Sequence, residues 1–227
     1  MKKYRIPGFI ALSLVALLLF GCASSGGNSP SGKHLPEYEK LTALIGGTKA
    51  QALKALNLEE KDLTKFVDYD YSLPMEVEYG GVKLQPGIEF IYGDENLLNA
   101  INYRAAYQGN PEQAAKDMVA VAAELKKQMG APDHDAHRGI ISDFKEEDLL
   151  KALERKNLSN EDYWDITDIA PDNVKEHINE LSSQSWWKNA YNGKSARYFL
   201  LLEIDYIDTT DTAYISIRYT VRPEIQE

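Results

Sequence analysis

The chain predicts an α+β fold: an antiparallel sheet, a meander plus a C-terminal hairpin, covered by helices. Three patterns predict it. Apolar and polar residues alternate from Phe66 to Tyr107, in short runs broken by glycine turns. A second alternating stretch runs from Tyr198 to Val221 around one polar turn. Elsewhere, most clearly over 111–129, apolar residues recur at helical spacing. Alternation marks a half-buried strand, and recurrence every three to four residues an amphipathic helix.

Residues 1–21 read as a signal peptide, outside the fold. Lys2, Lys3 and Arg5 form a positive start, and Phe9–Phe20 is apolar apart from Ser13. Twelve helical residues span roughly 18 Å against a hydrocarbon core of about 30 Å, which is too short to cross. Leu17–Leu18–Leu19–Phe20–Gly21–Cys22 resembles the cleavage and lipidation signal of bacterial lipoproteins. Leu19 then stands at −3, Gly21 at −1 and Cys22 at +1; Phe20 departs from the small or short aliphatic residue usual at −2. The resemblance implies a diacylglycerol on the Cys22 thiol and cleavage between Gly21 and Cys22. Ala23 follows at +2. That implies the outer membrane in a Gram-negative host, and the outer face of the cell membrane in a Gram-positive one. Two or more acyl chains, at about 0.8 kcal/mol per buried CH₂, make such an anchor stable.

Residues 22–35 carry Ser24, Ser25, Gly26, Gly27, Pro30 and Gly32 and read as a flexible tether. Such composition cannot bury enough apolar surface to order itself. About fourteen residues of flexible coil reach roughly 20 Å. The globular domain is expected over 36–227. Removing Lys2, Lys3 and Arg5 from 25 basic residues leaves 22 against 35 acidic ones, a mature charge of −13. Such a body repels nucleic acid and anionic headgroups, so membrane contact is expected through the lipid on Cys22 alone. With the single cysteine acylated, no disulfide, redox or cysteine-metal site remains.

Within the domain, Pro36 opens a first helical segment, broken at Gly46–Gly47. Thr48 and Gln51 then fit a capping box. Val67, Tyr69, Tyr71 and Leu73 share one strand face, with Asp68 and Asp70 on the wet side. Gly80–Gly81 marks a hairpin turn. Strands follow through Ile88–Tyr92 and Leu98–Tyr107. Asn110, Pro111 and Gln113 start the best helix, and Gly130 and Pro132 end it. Residues 140–192 read as a helical insert, with Asp143 and Glu146 as a second capping box and a helix from Pro171. In the last hairpin Ser216, Arg218, Thr220 and Arg222 face outward. Helix-then-strands recurs in the two halves, which admits a divergent tandem, although the insert breaks any simple period.

Ile45–Gly46–Gly47–Thr48–Lys49, continuing to Leu56, resembles the helix opening of small α/β outer-membrane-assembly lipoproteins and of beta-lactamase-inhibitor-like repeats. It covers about a dozen residues and lacks the Gly-Pro that often follows the helix, here Asn57–Leu58. The resemblance implies helices laid on an antiparallel sheet and a protein-binding role.

No catalytic constellation is recognised. Asp133, His134, Asp135 and His137 are potential zinc donors, but read as a polar loop after a helix stop. Glu146–Glu147–Asp148 complements a helix dipole. Glu161–Asp162 lacks any demonstrable cleft partner. Ser182, Ser183 and Ser185 sit in no nucleophile elbow. Trp186, Trp187 and Trp164 are either core or a binding patch for a glycan or protein. The expectation is a lipid-anchored, extracytoplasmic, non-enzymatic module without metal or cofactor that binds a protein or another envelope component, with an envelope protein or a glycan as its partner. The alternative is a carbohydrate-binding surface lipoprotein.

Overall fold

The computed structural model describes residues 38–91, 94–138 and 145–225. The signal segment, Gly21, Cys22, the 22–35 tether and Asp143 lie outside the described residues.

Helices α1 (Tyr38–Thr42) and α2 (Lys49–Leu56) lead into strands β1 (Thr64–Val67), β2 (Asp70–Ser72), β3 (Val77–Tyr79), β4 (Val82–Ile91) and β5 (Asp94–Gln108). After α3 (Pro111–Met129) come β6 (His134–Arg138), α4 (Glu146–Glu154) and β7 (Ser159–Asp165). Then α5 (Asp172–Ser183) and α6 (Ser185–Ala190) precede the hairpin β8 (Ala196–Ile207) and β9 (Thr212–Pro223). The sheet order is β1-β2-β4-β5-β9-β8-β7-β6, with β3 added to β4 and all pairs antiparallel. This is the α+β architecture with helices packed on an antiparallel sheet.

Two caps form as the sequence predicts. Gln51 N donates to Thr48 Oγ1 at 3.2 Å, and Thr48 N donates back to Gln51 Oε1 at 2.7 Å. Asn110 Oδ1 accepts from Gln113 N at 3.2 Å, with Pro111 in the first turn. The cap residue of α4 is Lys145, whose side chain makes no cap bond.

Three expectations change. The segment from Phe66 to Leu73 is two strands, because Tyr69 adopts φ 66° and turns the chain between β1 and β2. Residues 134–138 form an edge strand on β7, not a loop. The 140–192 insert contains β7 as well as helices. Asn160 and Asp162 of β7 are buried on the helix side, so polar residues stand where a strand pattern needs apolar ones. The strand is therefore silent to a hydropathy reading.

The two halves correspond in the sheet but not in their connections. β5 lies beside β9, and β4 and β8 flank this central pair. Yet α2 precedes β1 and β2, whereas α5 and α6 sit between β7 and β8.

The helices cover one sheet face. Ile101 and Tyr103 of β5, Leu202 and Ile204 of β8, and Ile215, Ile217 and Tyr219 of β9 are fully or almost fully buried there. Met118, Val121 and Leu125 of α3 and Val174, Ile178 and Leu181 of α5 close over them. At about 1.5–3 kcal/mol for each large apolar side chain, this layer is the main source of stability.

Among these apolar groups sits His177 of α5, 2% exposed. Its Nε2 lies 3.4 Å from Asn99 Oδ1, and Nδ1 has no partner. Gly46, at φ +85°, passes over the ring; a Cβ there would stand 3.2 Å from His177 Cβ. Asn173 Nδ2 donates to Thr42 O at 2.9 Å and Ile45 O at 3.2 Å, holding the same loop against α5.

Burial pushes the His177 pKa down from 6.5 to about 4. Above pH 6.5 the ring is neutral folded or unfolded. As pH falls toward 4, only the unfolded chain gains the proton, so the folded state loses stability, levelling off below pH 4. Urea unfolding should show this as a loss approaching about 3 kcal/mol between pH 7 and pH 4. In His177→Leu that part of the pH dependence should vanish. A constant difference between wild type and variant across the range would refute the assignment.

Candidate functional site

The opposite sheet face carries no helix among the described residues, yet much of it is buried. Alternation places Asp70 (β2), Glu89 (β4), Asn102 and Arg104 (β5), Arg218 and Arg222 (β9), Glu203 and Asp205 (β8), and Glu161 (β7) on this face. Asp70 is 5% exposed and Asn102 1% exposed. Phe199, Leu201 and Tyr163 add a small apolar cluster, with Ile225 packed against it.

The charged side chains form a network across six strands. Arg104 Nη2 pairs with Asp70 Oδ2. Arg218 Nη2 pairs with Glu89 Oε1, and its Nη1 lies 3.5 Å from Glu203 Oε1. Arg222 Nη2 lies 3.8 Å from the same Glu203 oxygen. Arg222 Nη1 donates to Tyr163 Oη at 3.3 Å, and that hydroxyl donates to Glu161 Oε2. Asn102 Nδ2 donates to Glu89 Oε2 at 3.3 Å.

Register explains why the arginines are needed. Asp70 stands directly opposite Glu89, and Glu161 directly opposite Glu203. Like charges in directly opposed positions destabilise a sheet. Arg104 and Arg218 offset the Asp70–Glu89 clash, and Arg218 and Arg222 offset the clash at Glu203. Gly87 leaves the space: a Cβ on it would be 3.0 Å from Tyr71 O and 3.7 Å from both Arg104 Nη2 and Asp70 Oδ1.

The titration directions follow from this geometry. Burial disfavours the charge on Arg218, but Glu89, Glu203 and Asp70 outweigh it and hold the pKa above its ordinary value. Arg222 is pushed down, by burial and then by Arg218. Burial and then Glu203 push the Glu161 carboxyl up. Asp205 is likewise raised, by burial first, with Glu203 adding and the Tyr206 amide opposing. Among the described residues Asp205 has no cationic partner within salt-bridge distance.

A cavity of about 230 Å³ opens in the middle of this network, lined by Asp70, Asn102, Arg104, Asp205, Tyr214 and Arg218 among others. Phe66 and Ile207, both exposed, lie at its edge. The Arg104 guanidinium stacks 4.4 Å from the Phe66 ring centre, and Phe66 meets Tyr214 edge-on at 5.8 Å. Among the described residues, three buried polar atoms of the lining have no hydrogen-bond partner: Asp70 Oδ1, Asn102 Oδ1 and Arg218 Nε. A larger hollow of about 420 Å³ lies between the Gly46–Gly47 loop and α5. Its carboxylates, Glu176 and Glu180, are exposed, so it concentrates less chemistry.

The residues singled out in the sequence are dispersed. Trp164 and Trp187 are each 2% exposed and give their indole N–H to Gly130 O at 3.2 Å and Lys194 O at 3.0 Å. Trp186 alone of the three is exposed, edge-on to Trp187 at 5.7 Å. Glu161 and Asp162 point to opposite faces; Asp162 is buried 3.9 Å from Lys126 Nζ. Ser182 Oγ accepts from Ala196 N at 2.9 Å, and Ser183 Oγ donates to Glu180 O at 2.6 Å, both structural uses. Among the described residues no cluster of three His, Cys, Asp or Glu has metal-binding geometry.

Asp70, Asn102, Arg104 and Asp205 escaped the sequence reading, and Asp70 was expected on a wet strand face. The available signal was Arg218 and Arg222 on one face of a strand otherwise rich in β-branched and aromatic residues. No family model matches the chain, and neither does any curated protein or solved structure.

Breaking the network from its centre should be costly. Arg218→Leu leaves Glu89 and Glu203 facing one another without their shared cation, a loss of about 3–5 kcal/mol in unfolding free energy. Glu89→Gln in the Arg218→Leu background should recover part of it. Full stability in Arg218→Leu would show the network to be idle.

Proposed function

We propose that the mature chain is a lipid-anchored, extracytoplasmic, non-enzymatic binding module whose helix-free sheet face is its binding surface. Two sequence features support the anchoring: the apolar run ending at Cys22 and the Gly/Ser-rich segment behind it. The acidic body adds to this, since it cannot adhere to anionic headgroups by charge. Depending on envelope type, the location proposed is the outer membrane or the outer face of the cell membrane.

One observation carries the binding role. The uncovered sheet face holds a cavity lined by buried, partnerless acceptors and by a carboxylate without a counter-ion. Leaving a buried polar atom unsatisfied costs about 1–3 kcal/mol, and a ligand offering donors removes that cost. A glycan-handling role has only Trp186 to offer as an exposed indole platform.

Two experiments test this reading. Cys22→Ser should move the protein from the membrane fraction to the soluble fraction and abolish acyl labelling. Retained labelling would sink the anchor. For the face, a photo-crosslinking side chain is placed at Ile207 in the anchored full chain, in its own envelope, with exposed Lys116 of α3 as the control site. A discrete adduct from position 207 and none from 116 is expected. Equal labelling at both positions would remove the face from consideration.

A further inference from the structure

The cavity's own charges define what would fit it. Four carboxylates line it, Asp70, Glu89, Glu203 and Asp205, against two guanidiniums, Arg104 and Arg218. Both guanidiniums are already engaged, Arg104 by Asp70 and Arg218 by Glu89 and Glu203. An incoming anion would have to displace a carboxylate from a buried arginine and sit beside the others. An incoming cation meets surplus negative charge and two unused acceptors, Asp70 Oδ1 and Asn102 Oδ1.

The second constraint is the cavity's edge. Phe66, Tyr214 and Ile207 make it apolar and aromatic. A ring face beside a cationic site attracts the cation, and an alkyl stem packs on the same groups. The volume, about 230 Å³, is below the roughly 300 Å³ at which drug-sized ligand sites begin. That suits a short chain bearing one charge. Among the described residues no lysine lines the cavity.

We propose that this cavity binds a primary ammonium group on a short alkyl stem, seated against Asp205 with its stem along Phe66, Tyr214 and Ile207. The inference rests on the helix-free face being the binding surface and names the chemistry it recognises. Two sources can present such a group: a free small amine or a lysine side chain of a partner protein. Burial and Glu203 make the lone charge of Asp205 unfavourable in the empty cavity. A bound ammonium provides the counter-ion that β9 gives to Glu203 and withholds from Asp205.

The test is calorimetric titration of the full-length, anchored protein in an uncharged detergent. The probes are n-butylammonium, its neutral isostere n-butanol, and a short acetylated peptide with one lysine. The ammonium should bind at least tenfold more tightly than the alcohol. Asp205→Asn, confirmed as folded by its unfolding midpoint, should lose about tenfold. Equal affinity for ammonium and alcohol, binding of neither, or an unaffected Asp205→Asn would each overturn the proposal. The wild-type comparison stands even where the variant does not fold. If the peptide binds tenfold more tightly than n-butylammonium, the group comes from a partner's lysine; equal or weaker binding assigns a free amine. Crosslinking from position 207 with no amine binding would refute the cation inference alone. Loss of both would refute the binding face as well.

Discussion

The open face of the sheet depends on one side chain, Arg218. From β9 it reaches Glu89 on β4 and Glu203 on β8, and so ties together the two central hairpins across their seam. Taking a guanidinium out of water costs several kcal/mol, and attraction to two carboxylates roughly repays that when the geometry is good. The net gain in stability is therefore modest, whereas the cost of a mistake is large. A slip of one residue in β9 would turn Arg218 toward Tyr103 and Met118 on the helix side, and bring Ile217 and Tyr219 to the open face. The network acts chiefly as a register lock. The lock matters because β5 and β9 meet along nine consecutive pairs with no turn between them to set their alignment.

What the sequence made legible was local or one-sided. The Thr48–Gln51 box and the Asn110–Pro111 start involve residues three or fewer apart, and β8 and β9 keep apolar residues on their helix side throughout their alternating stretches. The open face is different in kind. Arg104 and Asp70 are 34 residues apart, and Arg218 and Glu89 are 129 apart. Nothing about Asp70 in its own strand distinguishes a buried ion-pair partner from a solvated one. That knowledge resides in the pairing of β2 with β4 and of β4 with β5. β7 was hidden for a related reason: Asn160 and Asp162 occupy its core-facing positions. The tryptophans illustrate the reverse error. Trp164 and Trp187 invite a surface role by size and adjacency, yet both indole N–H groups are spent on backbone carbonyls inside the protein.

The two faces of the sheet are stabilised by different physics, and this separates folding from recognition. The helix side is mainly apolar, with Asn160, Asp162 and His177 buried in it, so most substitutions there act through cavities and lost contacts. The open side is polar, buried and incompletely satisfied. Asp70 Oδ1, Asn102 Oδ1 and Arg218 Nε are charged or amide atoms withdrawn from water without partners. Had selection acted on stability alone, apolar side chains of similar volume would serve at least as well in these positions. What sets these three atoms apart from unsatisfied groups elsewhere, such as His177 Nδ1, is that they line one cavity on an open face, where a partner from outside can reach them.

The proposed anchor and the proposed binding face are linked through charge. If residues 1–21 are removed, the remaining chain carries a net charge of −13, and such a body, tethered as proposed, repels anionic headgroups rather than lying flat on them. The same field raises the local concentration of small cations and steers basic partners toward the surface, an effect that weakens with ionic strength. Within the cavity, low dielectric and fixed geometry turn that diffuse attraction into discrimination. Among the described residues Asp205 is the one carboxylate of the lining with no arginine in salt-bridge distance, and Glu203 beside it adds to the negative charge there. Long-range acidity brings cations to the face, and the unpaired carboxylate selects those whose charge sits at the end of a stem short enough to enter.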